Sequence, residues 1–152
     1  MKLAQALIER KAIKTKIEEL KKRIYQQARI QEGDKPIENP ASLIEELKHA
    51  SAEFEKIVVK INKTNISTKI NDNLTMMEAL IKKDMLNLLH MVHVNLADKA
   101  LPNQDRYSQR EIKNVPNIDV PATRKRADEI AKEYRLLDTK IQECNWTIDL
   151  VE

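Results

Sequence analysis

Four stretches of this chain repeat apolar residues at alternating steps of three and four, a spacing that gathers them along one seam of a helix. In the first, Leu3, Ala6, Ile13, Ile17, Leu20 and Ile24 hold the seam and Arg10 interrupts it. The second runs through Leu43, Leu47, Ala50, Phe54, Ile57 and Ile61, and the last through Ala127, Ile130, Tyr134, Leu137, Ile141, Cys144 and Ile148. The third, over about Met76 to Leu101, is apolar on more than one side. Met77, Ile81, Met85, Leu88, Val92 and Leu96 form one stripe, and Met76, Leu80, Leu86 and Leu89 form a second. One neighbouring helix cannot cover both, so this block is expected to be a central helix or an oligomer contact. Its methionines are expected to pack in the core.

Composition agrees with long helices and removes several function classes. The chain has 152 residues, about one domain, and contains one glycine, Gly33. Phosphate-cradling loops of the P-loop or dinucleotide type need several glycines for backbone N–H groups to approach the ligand, so both are excluded. Charged residues make up 34% and hydrophobic ones 41%, the balance of amphipathic rods with solvated outer faces. The formal net charge is only +3 with the signs interspersed, which argues against a nucleic-acid partner. No apolar run is long enough for a membrane helix, and the start lacks a secretory signal. The lone Cys144 permits no internal disulfide. Together these point to a cytoplasmic protein.

Boundary signals divide the helices. Gly33, Asp34, Pro36 and Pro40 close the first block, and the second is expected to end within Asn62 to Asn65. Ile66, Thr68 and Ile70 then alternate as in a strand, and Asn71-Asp72-Asn73 supplies a turn. Thr75 followed by Glu78 fits a capping box for the third helix. Residues 111–118 alternate again and are expected to form a second strand beside 66–70, with Pro116 confining it to an edge or bulge. Asp119 is the expected cap of the last helix, with Pro121 tolerated in its first turn. The predicted fold is all-α, an antiparallel bundle of about four long helices with a minor two-stranded β element, in one domain spanning 1–152.

Few constellations suggest chemistry. His90 and His93, three residues apart, share a helix face and are weak candidate metal ligands; two ligands do not make a site, and no Glu-x-x-His motif accompanies them. Cys144 lies on the last seam and is read as buried and inert. Arg124-Lys125-Arg126 begins a helix without stacking aromatics nearby and is read as a solvated face. The densest polar group is Gln104-Asp105-Arg106-Tyr107-Ser108 with Glu111, expected to anchor a loop or form an interface through charge-assisted bonds. Asn145 and Trp146 form a second such patch, with Trp146 read as a packing anchor. No catalytic residue and no cofactor are predicted.

These patches also carry a resemblance. Met1-Lys2-Leu3-Ala4 with Ala6-Leu7-Ile8-Glu9-Arg10, Ile61-Asn62-Lys63-Thr64-Asn65, Gln104-Asp105-Arg106-Tyr107-Ser108, Asp138-Thr139-Lys140-Ile141-Gln142-Glu143 and Asn145-Trp146-Thr147 resemble, in the same order, a family of small bacterial proteins of unknown function often labelled septicolysin. The resemblance implies a helical bacterial protein and brings no catalytic residue with it. The label implies a pore-forming toxin, against which stand the single Trp and the polar interruptions of the third block by Lys82, Lys83, Asp84, Asn87 and Asn95. The favoured expectation is a structural or interaction protein that assembles as a homo-oligomer. A metal-binding protein or enzyme using His90, His93 or the 104–111 loop is the alternative.

Overall fold

A computed structural model of the chain describes residues 1–101 and 113–152. The fold is all-α with a minor two-stranded sheet: α1 (Leu3–Gln26), α2 (Pro40–Ser67), β1 (Lys69–Asn71), β2 (Leu74–Thr75), α3 (Met76–Lys99) and α4 (Val120–Thr147). The described residues gather into two compact units, Met1–Lys69 with Glu143–Glu152, and Ile70–Gln142.

In the first unit α1 and α2 form an antiparallel hairpin. Arg23 pairs with Glu38 near one end and Lys16 with Glu46 further along, at 3.4 Å, so the two helices run in opposite directions. Leu20, Leu43 and Ala50 are buried between them, with Ile17, Ile24 and Leu47 packed against that cluster. These are the seam residues, and Arg10, the exception in the seam, faces solvent. α1 stops at Gln26, earlier than the turn residues around Gly33 require, and beyond it Ala28, the next seam position, is exposed. Gly33 itself adopts φ +92°, a left-handed turn conformation that favours glycine. Asn39 caps α2 through Oδ1, which accepts from the Ala41 amide at 3.0 Å, and Pro40 occupies the first helical position, where no N–H is needed.

α2 continues past the expected end at Asn62 to Asn65. Ile61 and Thr64 carry its buried face onward, and the Thr64 and Ser67 hydroxyls donate to the Lys60 and Lys63 carbonyls at 2.8 and 2.9 Å. Only Thr68 turns extended.

In the second unit β1 pairs with β2 across the Asn71-Asp72-Asn73 turn, where Asn71 Oδ1 accepts from the Asn73 amide at 3.0 Å. This corrects the expected pairing of 66–70 with 111–118. Residues 113–118 form no strand, and residues 111 and 112 lie outside the described residues. A two-residue connection closes the sheet with almost no loop entropy, whereas a distant partner carrying Pro116 would lack a ladder donor. Thr75 and Glu78 form the expected capping box: Thr75 Oγ1 accepts from the Glu78 amide at 3.2 Å, and Glu78 accepts from the Thr75 amide at 2.8 Å. Those bonds favour the charged carboxylate and hold the Glu78 pKa below its usual range.

α3 and α4 run antiparallel, as two ion pairs record: Lys83 to Asp138 at 3.0 Å and Asp98 to Arg124 at 3.2 Å. Asp119 caps α4 through Oδ1, which accepts from the Ala122 amide at 2.9 Å. Every residue of the predicted α4 seam, Ala127 through Ile148, is buried or half-buried.

Candidate functional site

The most unusual surface lies along α3. Its buried residues, Met76, Ala79, Leu86 and Ala97, fall on one side, joined by the half-buried Leu80, Lys83, His90 and Val94. Met77, Ile81, Met85, Leu88, Leu89, Met91, Val92 and Leu96 fall on the other, each 41–55% exposed. At 3.6 residues per turn the two sets point nearly opposite ways, so the helix buries one face while presenting a second apolar face to solvent. Isolated exposed leucines are ordinary. Eight large apolar side chains along one helix make a larger exposed apolar patch than scattered surface residues normally do.

Two apolar sides of α3 were expected, but Leu89, assigned to the set of Met76, Leu80 and Leu86, lies instead on the exposed side. The six-residue stripe from Met77 to Leu96 is the exposed one. The inner face instead uses small residues, Ala79 and Ala97, beside Met76 and Leu86. Met77, Met85 and Met91 are exposed, which corrects the expectation that the methionines of this block are core filler; Met76 alone among the four is fully buried.

His90 and His93 both lie on α3. His90 lines a groove of about 230 Å³ with Asn87, Ala131, Tyr134 and Arg135. His93 turns inward on its own helix, Nδ1 lying 2.7 Å from the Leu89 carbonyl. Among the described residues no three His, Cys, Asp or Glu side chains converge as a metal would require.

In the first unit the chain ends are joined by a clasp that motif reasoning missed. Lys2 and Asp149 form an antiparallel bridge; the Leu3 amide donates to the Ile148 carbonyl at 3.0 Å and the Leu150 amide to the Met1 carbonyl at 2.8 Å. The Lys2 ammonium donates to the Thr147 carbonyl and contacts the Asp149 carboxylate, each at 2.9 Å. The lysine holds the Asp149 pKa below the usual carboxylate range by a direct hydrogen bond and by its charge. A groove of about 370 Å³ lies beside the clasp, with Met1, Ile13, Ile57 and Leu150 as apolar lining and Glu9, Glu53, Lys56 and Lys60 as charged lining. Lys2 and Thr147 belong to segments that carry the family resemblance, but no spacing or motif in the sequence places them together.

The other candidates divide. Gln104, Asp105, Arg106, Tyr107, Ser108 and Glu111 lie outside the described residues. Cys144 is a free, buried thiol. Asn145 is buried, whereas Trp146 is 59% exposed and is not a packing anchor within the chain. One residue further along the helix turns Trp146 about 100° away from the inward position that Asn145 takes.

A helical chain with a minor two-stranded sheet and an exposed apolar face on one helix is thus the class that the fold defines. By its sequence the chain belongs to a family of unknown function, DUF6847, whose model matches residues 10–150. It is similar to a crystal structure described as a functionally unknown conserved protein from Corynebacterium diphtheriae, with 39% identity, 99% of each chain covered and a TM-score of 0.93. No curated protein matches the chain.

Proposed function

We propose that this is a structural or interaction protein that works by assembling with copies of itself through α3. The observation that carries this reading is the row of eight exposed apolar residues on the side of α3 opposite its buried face. Half-exposed side chains of this size offer on the order of 800 Å² together, the amount one partner contributes to a standard interface. The free Cys144 supports a reducing, cytoplasmic setting. Sedimentation equilibrium at micromolar protein tests the reading: a multiple of the 17.7 kDa chain is expected, and a monomeric mass overturns it.

The His90 groove favours a second reading, a small-ligand or metal site formed with Asn87, Tyr134 and Arg135. Metal analysis of untagged protein tests the metal form of it; stoichiometric zinc or iron lost on His90→Ala is the result that supports it. A pore-forming role, as the septicolysin label implies, is disfavoured because no described helix is long and apolar enough to cross a membrane.

A further inference from the structure

We propose that α3 pairs with the α3 of a second copy of this chain in antiparallel register about a two-fold axis, with Met77 against the partner's Leu96, Ile81 against the partner's Val92, and Met85 against the partner's Leu88. This rests on the reading of α3 as a self-assembly face and adds the direction and register of the pairing.

The first argument is the spacing of the exposed stripe. Met77, Ile81, Met85, Leu88, Val92 and Leu96 follow one another at steps of four, four, three, four and four. That series reads the same from either end. It comprises two ridges of i, i+4 residues, Met77-Ile81-Met85 and Leu88-Val92-Leu96, and a two-fold axis across the helix exchanges one ridge for the other. A surface that must complement itself when reversed needs this symmetry, and a stripe meeting an unrelated partner does not.

Charge selects the same direction. Glu78 and Lys99 are both exposed, and both fall within the angular span of the apolar stripe, one at each end of the helix. Antiparallel pairing brings the Glu78 end of one copy to the Lys99 end of the other. Parallel pairing would set Glu78 against Glu78 and Lys99 against Lys99. It would also bring exposed Asp84, at the edge of the stripe, level with its own copy. Opposed helix macrodipoles favour the antiparallel arrangement further.

The register is read by pulsed-dipolar distances between spin labels placed beside the stripe, at Lys82→Cys or Asp98→Cys, in a Cys144→Ala background with helix content and mass matching the parent. Antiparallel pairing places the two Lys82→Cys labels roughly 20 Å apart and the two Asp98→Cys labels roughly 35–40 Å apart, because the second position lies much further from the axis at 1.5 Å per residue. Equal short distances at both positions overturn the register while leaving self-association intact. A monomeric mass for the parent protein at micromolar concentration, including one that takes up an added apolar helix instead, overturns both. Leu88→Lys at the centre of the stripe is expected to yield a helical monomer without a dipolar signal.

Discussion

The Val151 amide donates to the Thr64 hydroxyl at 2.9 Å, tying the last residues of the chain to a helix position 87 residues earlier. Thr64 is fully buried, and the same hydroxyl donates to the Lys60 carbonyl at 2.8 Å, so one side-chain oxygen serves two backbone groups. Thr64→Val keeps the shape and removes both bonds, leaving the Val151 amide without its acceptor. A loss of about 1–3 kcal/mol in urea unfolding is expected, together with faster hydrogen exchange at the Val151 amide. Thr64→Ser is expected to retain the slow exchange, because the oxygen stays in place.

The clasp between Lys2 and Asp149 predicts a pH dependence. The folded-state pKa of Asp149 is depressed, so its contribution is fully present above the ordinary aspartate range. It is lost as pH falls through the depressed folded value, when the unfolded chain binds the proton more readily than the folded one. Glu78, depressed by its capping bonds, acts in the same direction. Thermal melts across the acid range are expected to show a declining midpoint for the parent and a shallower decline for Asp149→Asn.

The cap at α3 makes a separate prediction. Thr75→Ala removes the acceptor of the Glu78 amide and one donor to the Glu78 carboxylate. A cost of about 1 kcal/mol is expected from the loss of an N-cap hydroxyl. Thr75→Ser should recover most of it in chemical denaturation.

Where the apolar seam had one destination, the fold was legible. Leu20, Leu43, Ile61, Ile130 and Ile141 were all placed inward by three-four spacing alone, and all are buried. The caps at Thr75 and Asp119 were legible because each depends on a side chain and an amide only a few residues apart. α3 was legible as doubly apolar, but periodicity does not say which of two apolar faces the rest of the chain covers. The covered face holds the fully buried Ala79 and Ala97, and small residues give little signal in a hydrophobic pattern. The clasp was illegible for a different reason. It rests on backbone amides and on Thr64, whose role arises only once distant segments meet. The expected second strand does not form over the described residues 113–118, because alternation of apolar residues does not choose a pairing partner, and the adjacent β2 closes the sheet with a shorter loop.

Gly33 offers a test of backbone conformation free of packing. A Cβ built there meets no atom within 4 Å, so any cost of Gly33→Ala comes from its φ of +92°. Destabilisation of about 1 kcal/mol is expected, consistent with the penalty for forcing an L-residue into the left-handed region. Equal stability of the variant in urea unfolding would show that the turn relaxes to negative φ.

The two faces of α3 predict opposite responses to the same truncation. Leu86 is 8% exposed and Leu88 is 55% exposed, two residues apart on one helix. Leu86→Ala removes buried methyl groups from within the chain and is expected to cost about 2–5 kcal/mol whatever the protein concentration. Leu88→Ala removes atoms from a side chain that is more than half exposed, so at low concentration its effect should stay within about 0.5 kcal/mol. If copies associate through this face, the folded state gains stability by mass action, and the parent's melting midpoint rises with concentration. Leu88→Ala should flatten that rise while Leu86→Ala leaves its slope unchanged. Melts of the three proteins across a hundredfold concentration range therefore separate core packing from assembly on a single helix, and identical slopes in all three would remove α3 from the interface.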